Sequence, residues 1–349
     1  MIYIGMDISS KSFTVHAINE AKKVIFKGDI KPTRAALRGM IKELGPQSKL
    51  IVFEAGNQLK WIALTLRKIK GVHIHVVHPN EIKWINQSSG KTDKIDARKL
   101  AYLARGDMLP RAVHIVEGKA RQLRELISAR RTIQSKRIAL INSIRGCLKQ
   151  EGYKLAKGFF NNGKWRDQLK RMRIGNTQKL ILEKFMQSIE GMVKAEGELT
   201  ASILEIEHQD IELLETIPGI GGLSSRVLVS AIDDAKRFDS KKSVAKYGGL
   251  TPRIYQSGGV THLGRINRDG RMEMRKVLLQ CAHTVARMKS YESRPLRAFF
   301  ERIRKRRGKK VAVVALARKL LTVAYGVLKA KRVYEPEVLL SGAERLCKT

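Results

Sequence analysis

The sequence predicts a chain of two characters, an α/β domain over roughly its first hundred residues and a largely helical remainder. Three observations carry this. Strand and helix patterns alternate up to about residue 110; strand formers thin out and proline disappears between 117 and 209; and helical periodicity returns after 210 around glycine-containing turns. At 349 residues the chain is long enough for two or three folded units, each burying its own core.

Residues 2–8, 12–19 and 23–30 read as three short strands joined by tight polar turns, a meander. Thr33 is placed to cap a helix reaching about Leu44, because its hydroxyl can accept from an amide of the first turn. Residues 50–55 are a largely apolar run of the kind a strand buried on both faces needs, 58–69 are amphipathic, and 73–77 make one more strand before Pro79. A helix opens at Asp93. The order strand-strand-strand-helix-strand-helix-strand-helix is that of an RNase-H-like (RuvC-like) α/β domain, an order several α/β folds share in part.

The middle of the chain reads as two long helices around a Gly/Asn-containing interruption at 158–176. Leu126, Ile133, Leu140 and Cys147 recur every seven residues. In the second helix Leu182, Phe185, Ile189, Met192, Leu199, Ile203 and Ile206 fill a and d positions, with Glu196 the polar exception. This predicts a helical coiled-coil connector folded as a hairpin. An amphipathic pair packed on a globular core has a similar pattern.

Charge is the loudest global feature. Lys and Arg number 69 against 32 Asp and Glu, a net +37, and the surplus is +10 over residues 1–110, +12 over 111–200 and +15 over 201–349. A chain basic throughout suits enclosure by a long polyanion, nucleic acid first, better than a neutral enzyme with a basic arm. Cys147, Cys281 and Cys347 are too few and scattered for a disulfide framework or zinc site. No charged leader precedes an apolar segment and no run reaches membrane-spanning length, so the expectation is a cytoplasmic protein with no membrane partner.

Four acids stand out against this basic background. Asp7 lies near the end of the first strand between Met6 and Ile8, and Glu54 ends the run Leu50-Ile51-Val52-Phe53. An unpaired carboxylate at such a position is costly to bury. In an RNase-H-like sheet these two strands are neighbours. Asp93 and Asp96, three residues apart, share one face of a helix start, where the helix dipole favours negative charge. If that helix packs beside Asp7, four carboxylates converge, and hard cations, Mg²⁺ or Mn²⁺, relieve their repulsion. Taken singly, each has a simpler reading as a turn, ion-pair or N-cap residue.

Beyond Leu213 the pattern Ile217-Pro218-Gly219-Ile220-Gly221 between two helices is helix-hairpin-helix-like, with amides suited to a phosphate; a tight turn needing glycine for positive φ is an equal reading. Ser240 and Ser243 look like helix-start residues. Glycines and basic residues dominate 248–271, helix resumes near 272–288, and residues 294–310 hold nine basic residues and one acid. Arg302, Arg304, Lys305, Arg306 and Arg307 in that run are expected to contact nucleic-acid backbone, with no bearing on sequence preference.

Gly5-Met6-Asp7-Ile8-Ser9-Ser10-Lys11, Phe53-Glu54-Ala55 and Thr92-Asp93-Lys94-Ile95-Asp96-Ala97 together resemble the DEDD transposases of insertion sequences, a family that includes the pilin-gene DNA invertases. The resemblance continues through Ile217-Pro218-Gly219-Ile220-Gly221, Tyr247-Gly248-Gly249-Leu250-Thr251-Pro252, Gln256-Ser257-Gly258 and Gly264-Arg265-Ile266-Asn267-Arg268-Asp269-Gly270, which look like the family's C-terminal transposase domain in order, so it spans roughly residues 1–290. It implies an RNase-H-like catalytic domain (1–112), a coiled-coil hairpin (113–209), a mainly α C-terminal transposase domain (210–335) and a tail (336–349).

It also implies that Ser257 is a nucleophile forming a covalent phosphoserine link to DNA, with Arg253, Arg265, Arg268 and Arg271 near enough in sequence to neutralise the phosphate. Many relatives carry two serines before the glycine, where this chain has Gln256-Ser257. A serine before glycine is otherwise an ordinary turn residue. The implied partners are donor and target double-stranded DNA, a structured noncoding bridge RNA acting as guide, and further copies of the chain, as a homodimer and a tetramer in the synaptic complex. Two other readings stay open from the residues alone: a metal-dependent nuclease or junction resolvase with Ser257 structural, and a non-catalytic nucleic-acid-binding protein.

Overall fold

The computed structural model describes residues 1–82, 93–257, 260–267 and 270–337. The chain divides into two compact units, Met1–Ile115 and Val116–Thr349. The first is a mixed α/β sheet domain and the second is mostly helical.

In the first unit, β1 (Ile2–Ile8), β2 (Phe13–Asn19) and β3 (Val24–Ile30) form an antiparallel meander, as the alternating pattern predicts. Helix α1 (Arg34–Glu43) follows, and Thr33 caps it by accepting from the Ala36 amide. Then come β4 (Lys49–Glu54), α2 (Leu59–Leu66), β5 (Val72–Val77) and α3 (Asp93–Arg105). The five strands are ordered β3-β2-β1-β4-β5, with β4 parallel to both β1 and β5.

Strand alternation divides the sheet into two faces. Ile2, Ile4, Met6, Phe13, Val15, Ala17, Ile51 and Phe53 pack against Leu37, Met40 and Ile41 of α1 and Ile62 and Leu66 of α2. On the other face Leu50, Val52 and Val77 meet Leu100 and Ala104 of α3. Gly5 lets α3 approach β1: a Cβ there would lie 2.0 Å from the Ala97 carbonyl oxygen and 2.6 Å from the Ala101 amide nitrogen. Ala97 and Ala101 are themselves fully buried, so small residues on both elements permit the close approach.

In the second unit α4 (Gly118–Gln150) and α6 (Asn176–Glu205) pair along their length, separated in sequence by the short α5 (Trp165–Lys170). Their direction is antiparallel, since Arg130 meets Thr200, Arg137 meets Glu196, and Ile144 and Leu148 share a cluster with Leu182, Met186 and Ile189. Leu182, Ile189, Glu196 and Ile203 are buried positions spaced by seven.

The short α7 (Gln209–Glu215) turns into the apolar α8 (Gly222–Ile232) through Gly219 at φ 80°, where a Cβ would strike Val285 at 2.6 Å. Helix α9 (Lys241–Tyr247) starts at Ser240, whose hydroxyl accepts from the Ser243 amide. The antiparallel hairpin of β6 (Pro252–Ser257) and β7 (Val260–Ile266) follows. Its signal in the sequence is the Gly258-Gly259 pair between two six- to seven-residue segments, which composition alone marks only as a glycine-rich stretch.

Helix α10 (Met272–Val285) and the long α11 (Arg294–Ala330) complete the described unit. Gly308 interrupts α11 at φ 79° and ψ 166°, a conformation essentially restricted to glycine. The expectation that no run reaches membrane-spanning length needs correction: α11 is long and apolar enough by composition, with a window of mean hydropathy 1.8. That window is 56% buried, and its Leu316, Leu320, Leu321, Ala324 and Leu328 form the core with α8 and α10, the behaviour of a core helix.

Candidate active site and nucleic-acid surfaces

The acids of the first unit are placed by register. Met6 pairs with Phe53 across the parallel β1–β4 ladder, so Asp7 and Glu54, one residue further along each strand, lie side by side. Gly5, two residues before Asp7, and Val52, two before Glu54, both face α3, so both acids belong to the α3 face. The loops beyond them are tied together, Gln58 Nε2 donating to the Ser9 carbonyl at 2.7 Å.

Asp93 and Asp96 lie on the first turn of α3, which runs against β1. Asp96 is 9% exposed, and its Oδ1 is buried with no hydrogen-bond partner among the described residues. A carboxylate oxygen in that state is costly unless a ligand satisfies it. The side chain of Asp93 lies outside the described residues, and among those described no three of His, Cys, Asp and Glu close on one point. The donor set fits a hard divalent cation: acidic oxygens on two adjacent strand ends, a helix start on the same face, and one buried oxygen in need of a partner.

Two further groups on this face are ones that sequence reasoning passes over. Thr14 is the register partner of Asp7 and is 8% exposed; its hydroxyl donates to Asp29 Oδ1 on β3 at 2.7 Å. His16, opposite Gly5, is buried, its Nε2 without a hydrogen-bond partner among the described residues and its ring centre 6.2 Å from that of Tyr102 of α3. Burial, then Arg98 and Lys27, hold its pKa below the ordinary imidazole value. The available signal is alternation: Thr14 and His16 are the polar positions within the otherwise apolar run Phe13–Ile18.

In the second unit Ser257 is the last residue of β6, paired with Val260 where the hairpin turns. Its side chain lies outside the described residues, as does the whole of Arg268. Arg253 and Arg265 belong to the opposite end of the hairpin, where Gly264 packs on Arg253 and Tyr255. Four strand residues put Arg253 roughly 13 Å from Ser257 along β6. Arg271 is further away in the chain, at the start of α10, and donates through Nε to the Tyr247 hydroxyl at 3.0 Å.

Around that tyrosine sits a cluster that sequence spacing does not suggest. The Arg237 guanidinium lies 4.5 Å from the Tyr247 ring centre, and Arg237 donates to the carbonyls of Ala231 and Ile232. Arg124 donates twice to the Ser230 carbonyl. These two arginines satisfy carbonyls left open at the end of α8. Burial alone pushes the Tyr247 phenol up, but Arg271, Arg237 and Arg124 together outweigh it and leave the group below its ordinary value.

On α11, Arg302, Arg304, Lys305, Arg306 and Arg307 are all exposed. Arg304 Nε pairs with Glu301 at 2.7 Å, and Arg302 lies over the Phe299 ring at 5.6 Å. The run ends at the Gly308 break, with Lys309 and Lys310 exposed beyond it.

Comparison with known proteins decides what these surfaces belong to. A DEDD-type transposase model of the IS110 group matches residues 4–152, and one described as the transposase IS116/IS110/IS902 family matches residues 211–297. The chain belongs to the DEDD transposases of insertion sequences.

Among its relatives, a probable family 20 transposase of Pseudomonas aeruginosa is 25% identical over 95% of this chain and 98% of its own length. The transposase for insertion sequence element IS1111A of Coxiella burnetii is also 25% identical, over 95% of this chain and 90% of its own. A pilin gene-inverting protein of Moraxella bovis is 36% identical over 38% of this chain and 41% of its own. The transposase is thus an enzyme of DNA transposition and recombination, and DNA is its partner. DEDD transposases generally use a divalent metal.

Proposed function

We propose that this transposase cuts and rejoins DNA through a phosphoserine link at Ser257, that Asp7, Glu54, Asp93 and Asp96 hold Mg²⁺ or Mn²⁺, and that a bridge RNA selects the DNA. The observation that carries the reading is the parallel β1–β4 pairing, which sets Asp7 beside Glu54 on the face where the buried Asp96 Oδ1 lacks a partner among the described residues. The first unit is read as an RNase-H-like domain, supported by its strand order and its antiparallel-then-parallel pairing. The α4–α6 hairpin is read as a coiled coil, supported by burial every seventh residue of α6.

A bound divalent cation supplies positive charge to the attacking and leaving oxygens of phosphoryl transfer. The carboxylates orient it, and α3, seated on Gly5, holds Asp96 at the sheet. Ser257 Oγ forms a bond to phosphorus as the bond to the departing strand oxygen breaks; the serine proton is lost and the departing oxygen gains one. The bond energy is kept in the ester, so rejoining needs no ATP. Arg253 and Arg265 on the hairpin and Arg271 at the start of α10 supply cationic charge, as Arg268 does by its place in the sequence, and the α11 run holds backbone phosphates. The guide RNA and the homodimer or tetramer rest on the family resemblance, with a net charge of +37 suited to holding two nucleic acids in the cytoplasm.

The test is to trap covalent protein–DNA adducts with Mg²⁺ and map them, and to sequence RNA that copurifies and ask whether it directs recombination at matching DNA. An adduct on Ser257, lost in Asp7→Asn with the fold intact, is expected. Undiminished DNA processing by Asp7→Asn sinks the metal reading. An adduct on another residue sinks the serine assignment, and metal-dependent cleavage with no adduct favours the nuclease.

A further inference from the structure

Four strands present a row of polar side chains at one level of the sheet. Asp29 on β3 pairs in register with Thr14 on β2, Thr14 with Asp7 on β1, and Asp7 lies beside Glu54 on β4. Directly paired residues share a face, with Cβ atoms about 4.5–5.5 Å apart. Thr14 therefore sits immediately beside Asp7 on the α3 face, and Asp29 stands behind it.

The hydroxyl chemistry is asymmetric. Threonine has one hydroxyl proton and two lone pairs. In this structure the proton is committed to Asp29 Oδ1 at 2.7 Å, a hydrogen bond strengthened by the carboxylate charge. The Thr14 oxygen then offers its neighbourhood only lone pairs. It cannot donate into the Asp7 carboxylate and draw electron density from it, but it can accept from a water. Small hard cations keep several of their waters, each a hydrogen-bond donor that needs an acceptor. Asp96 Oδ1, buried on the same face and without a partner among the described residues, supports a ligand there.

We propose that Thr14 is a positioning residue for the Asp7 cation site and that Asp29 fixes its hydroxyl as an acceptor for cation-bound water. This rests on the reading of Asp7 as a cation ligand. It adds a fifth carboxylate to the site's machinery, one that acts through Thr14 and touches no cation itself. Asp29 is exposed, so it is free of packing duties that would confuse its replacement.

The test measures Mn²⁺ binding to the full chain by calorimetry and by the spin-resonance signal of the bound ion, without DNA. Outer groups of this kind typically change metal affinity about 10- to 100-fold. Thr14→Val and Asp29→Ala are each expected to weaken Mn²⁺ binding about tenfold or more, Thr14→Ser to restore it, and the double variant to be no weaker than Thr14→Val alone.

Unchanged Mn²⁺ affinity in Asp29→Ala overturns the proposal, even if Thr14→Val fails to fold. An Asp29→Ala effect that persists undiminished in the Thr14→Val background also overturns it, because the acid then acts independently. Wild-type protein whose Mn²⁺ binding is the same as that of Asp7→Asn overturns both this inference and the metal reading beneath it. Normal wild-type binding lost in Asp7→Asn but untouched by Asp29→Ala overturns this inference alone.

Discussion

Arg137 and Glu196 close a two-point ion pair across the helical hairpin, Nε to Oε1 at 2.6 Å and Nη2 to Oε2 at 3.3 Å. Glu196 is the polar exception in the apolar seam of α6, and its partner comes from the facing helix rather than from solvent. A planar guanidinium meeting a carboxylate edge-on sets the axial register of α4 against α6 more sharply than interchangeable aliphatic packing does. Glu196→Ala leaves Arg137 without its acid and is expected to destabilise the second unit by about 2 kcal/mol. Replacing both residues by leucine is expected to recover most of that loss, since an apolar pair fills the seam without desolvating charge. Chemical denaturation of the three variants checks this; a double variant less stable than Glu196→Ala contradicts it.

Gly5 is the position on which the seating of α3 depends. A methyl group there meets the Ala97 carbonyl at 2.0 Å and Leu100 Cβ at 2.9 Å, so backbone has to move. Gly5→Ala is expected to cost about 1–3 kcal/mol and to carry Asp96 away from the sheet. The readouts are melting temperature and Mn²⁺ affinity measured together. Loss of stability with normal Mn²⁺ binding would separate α3 from the cation site.

His16 gives the first unit a predictable acid sensitivity. Burial, then Arg98 and Lys27, disfavour the charged imidazole in the folded state. Its folded pKa is therefore below the unfolded value, ordinarily about 6.5. Above that pH both states are neutral and the contribution to stability is fully present; as pH falls below it, the unfolded chain takes up the proton first and stability is lost. His16→Leu is expected to flatten the fall in melting temperature between about pH 7 and about pH 5. An unchanged slope would show that His16 protonates in place without penalty.

The exposed cations of α11 yield a prediction in salt dependence. Replacing Arg302, Lys305, Arg306 and Arg307 together by alanine is expected to weaken duplex DNA binding at all sequences alike. The slope of log affinity against log salt should fall by about 0.9 for each phosphate that is no longer neutralised. Binding isotherms at several salt concentrations decide it; an unchanged slope removes α11 from the DNA surface.

Much of the first unit is legible in the sequence because its elements are local patterns. Phe13, Val15 and Ala17 alternate with polar Thr14 and His16, Thr33 stands where a helix needs an acceptor, and Leu59–Leu66 keeps one apolar face. The β6–β7 hairpin is hidden because basic residues and glycines obscure its alternation, although Gly258-Gly259 is a turn signal in plain view. The arginine cluster at Tyr247 is not legible at all. Arg124, Arg237 and Arg271 come from separate segments, the first two meeting the open carbonyls at the end of α8 and the third the Tyr247 hydroxyl.

By itself the sequence determined the strands and helices of the first unit, the long helices of the second, a polyanionic partner, and four acids out of keeping with their surroundings. Hydrophobic period and charge act over a few residues and survive being read in one dimension. Only the tertiary structure decided that Asp7 stands beside Glu54, that Thr14 surrenders its proton to Asp29, and that Glu196 finds Arg137. Those relations depend on strand register and helix pairing, which are set by the burial of whole faces at once and leave no mark at the individual residue.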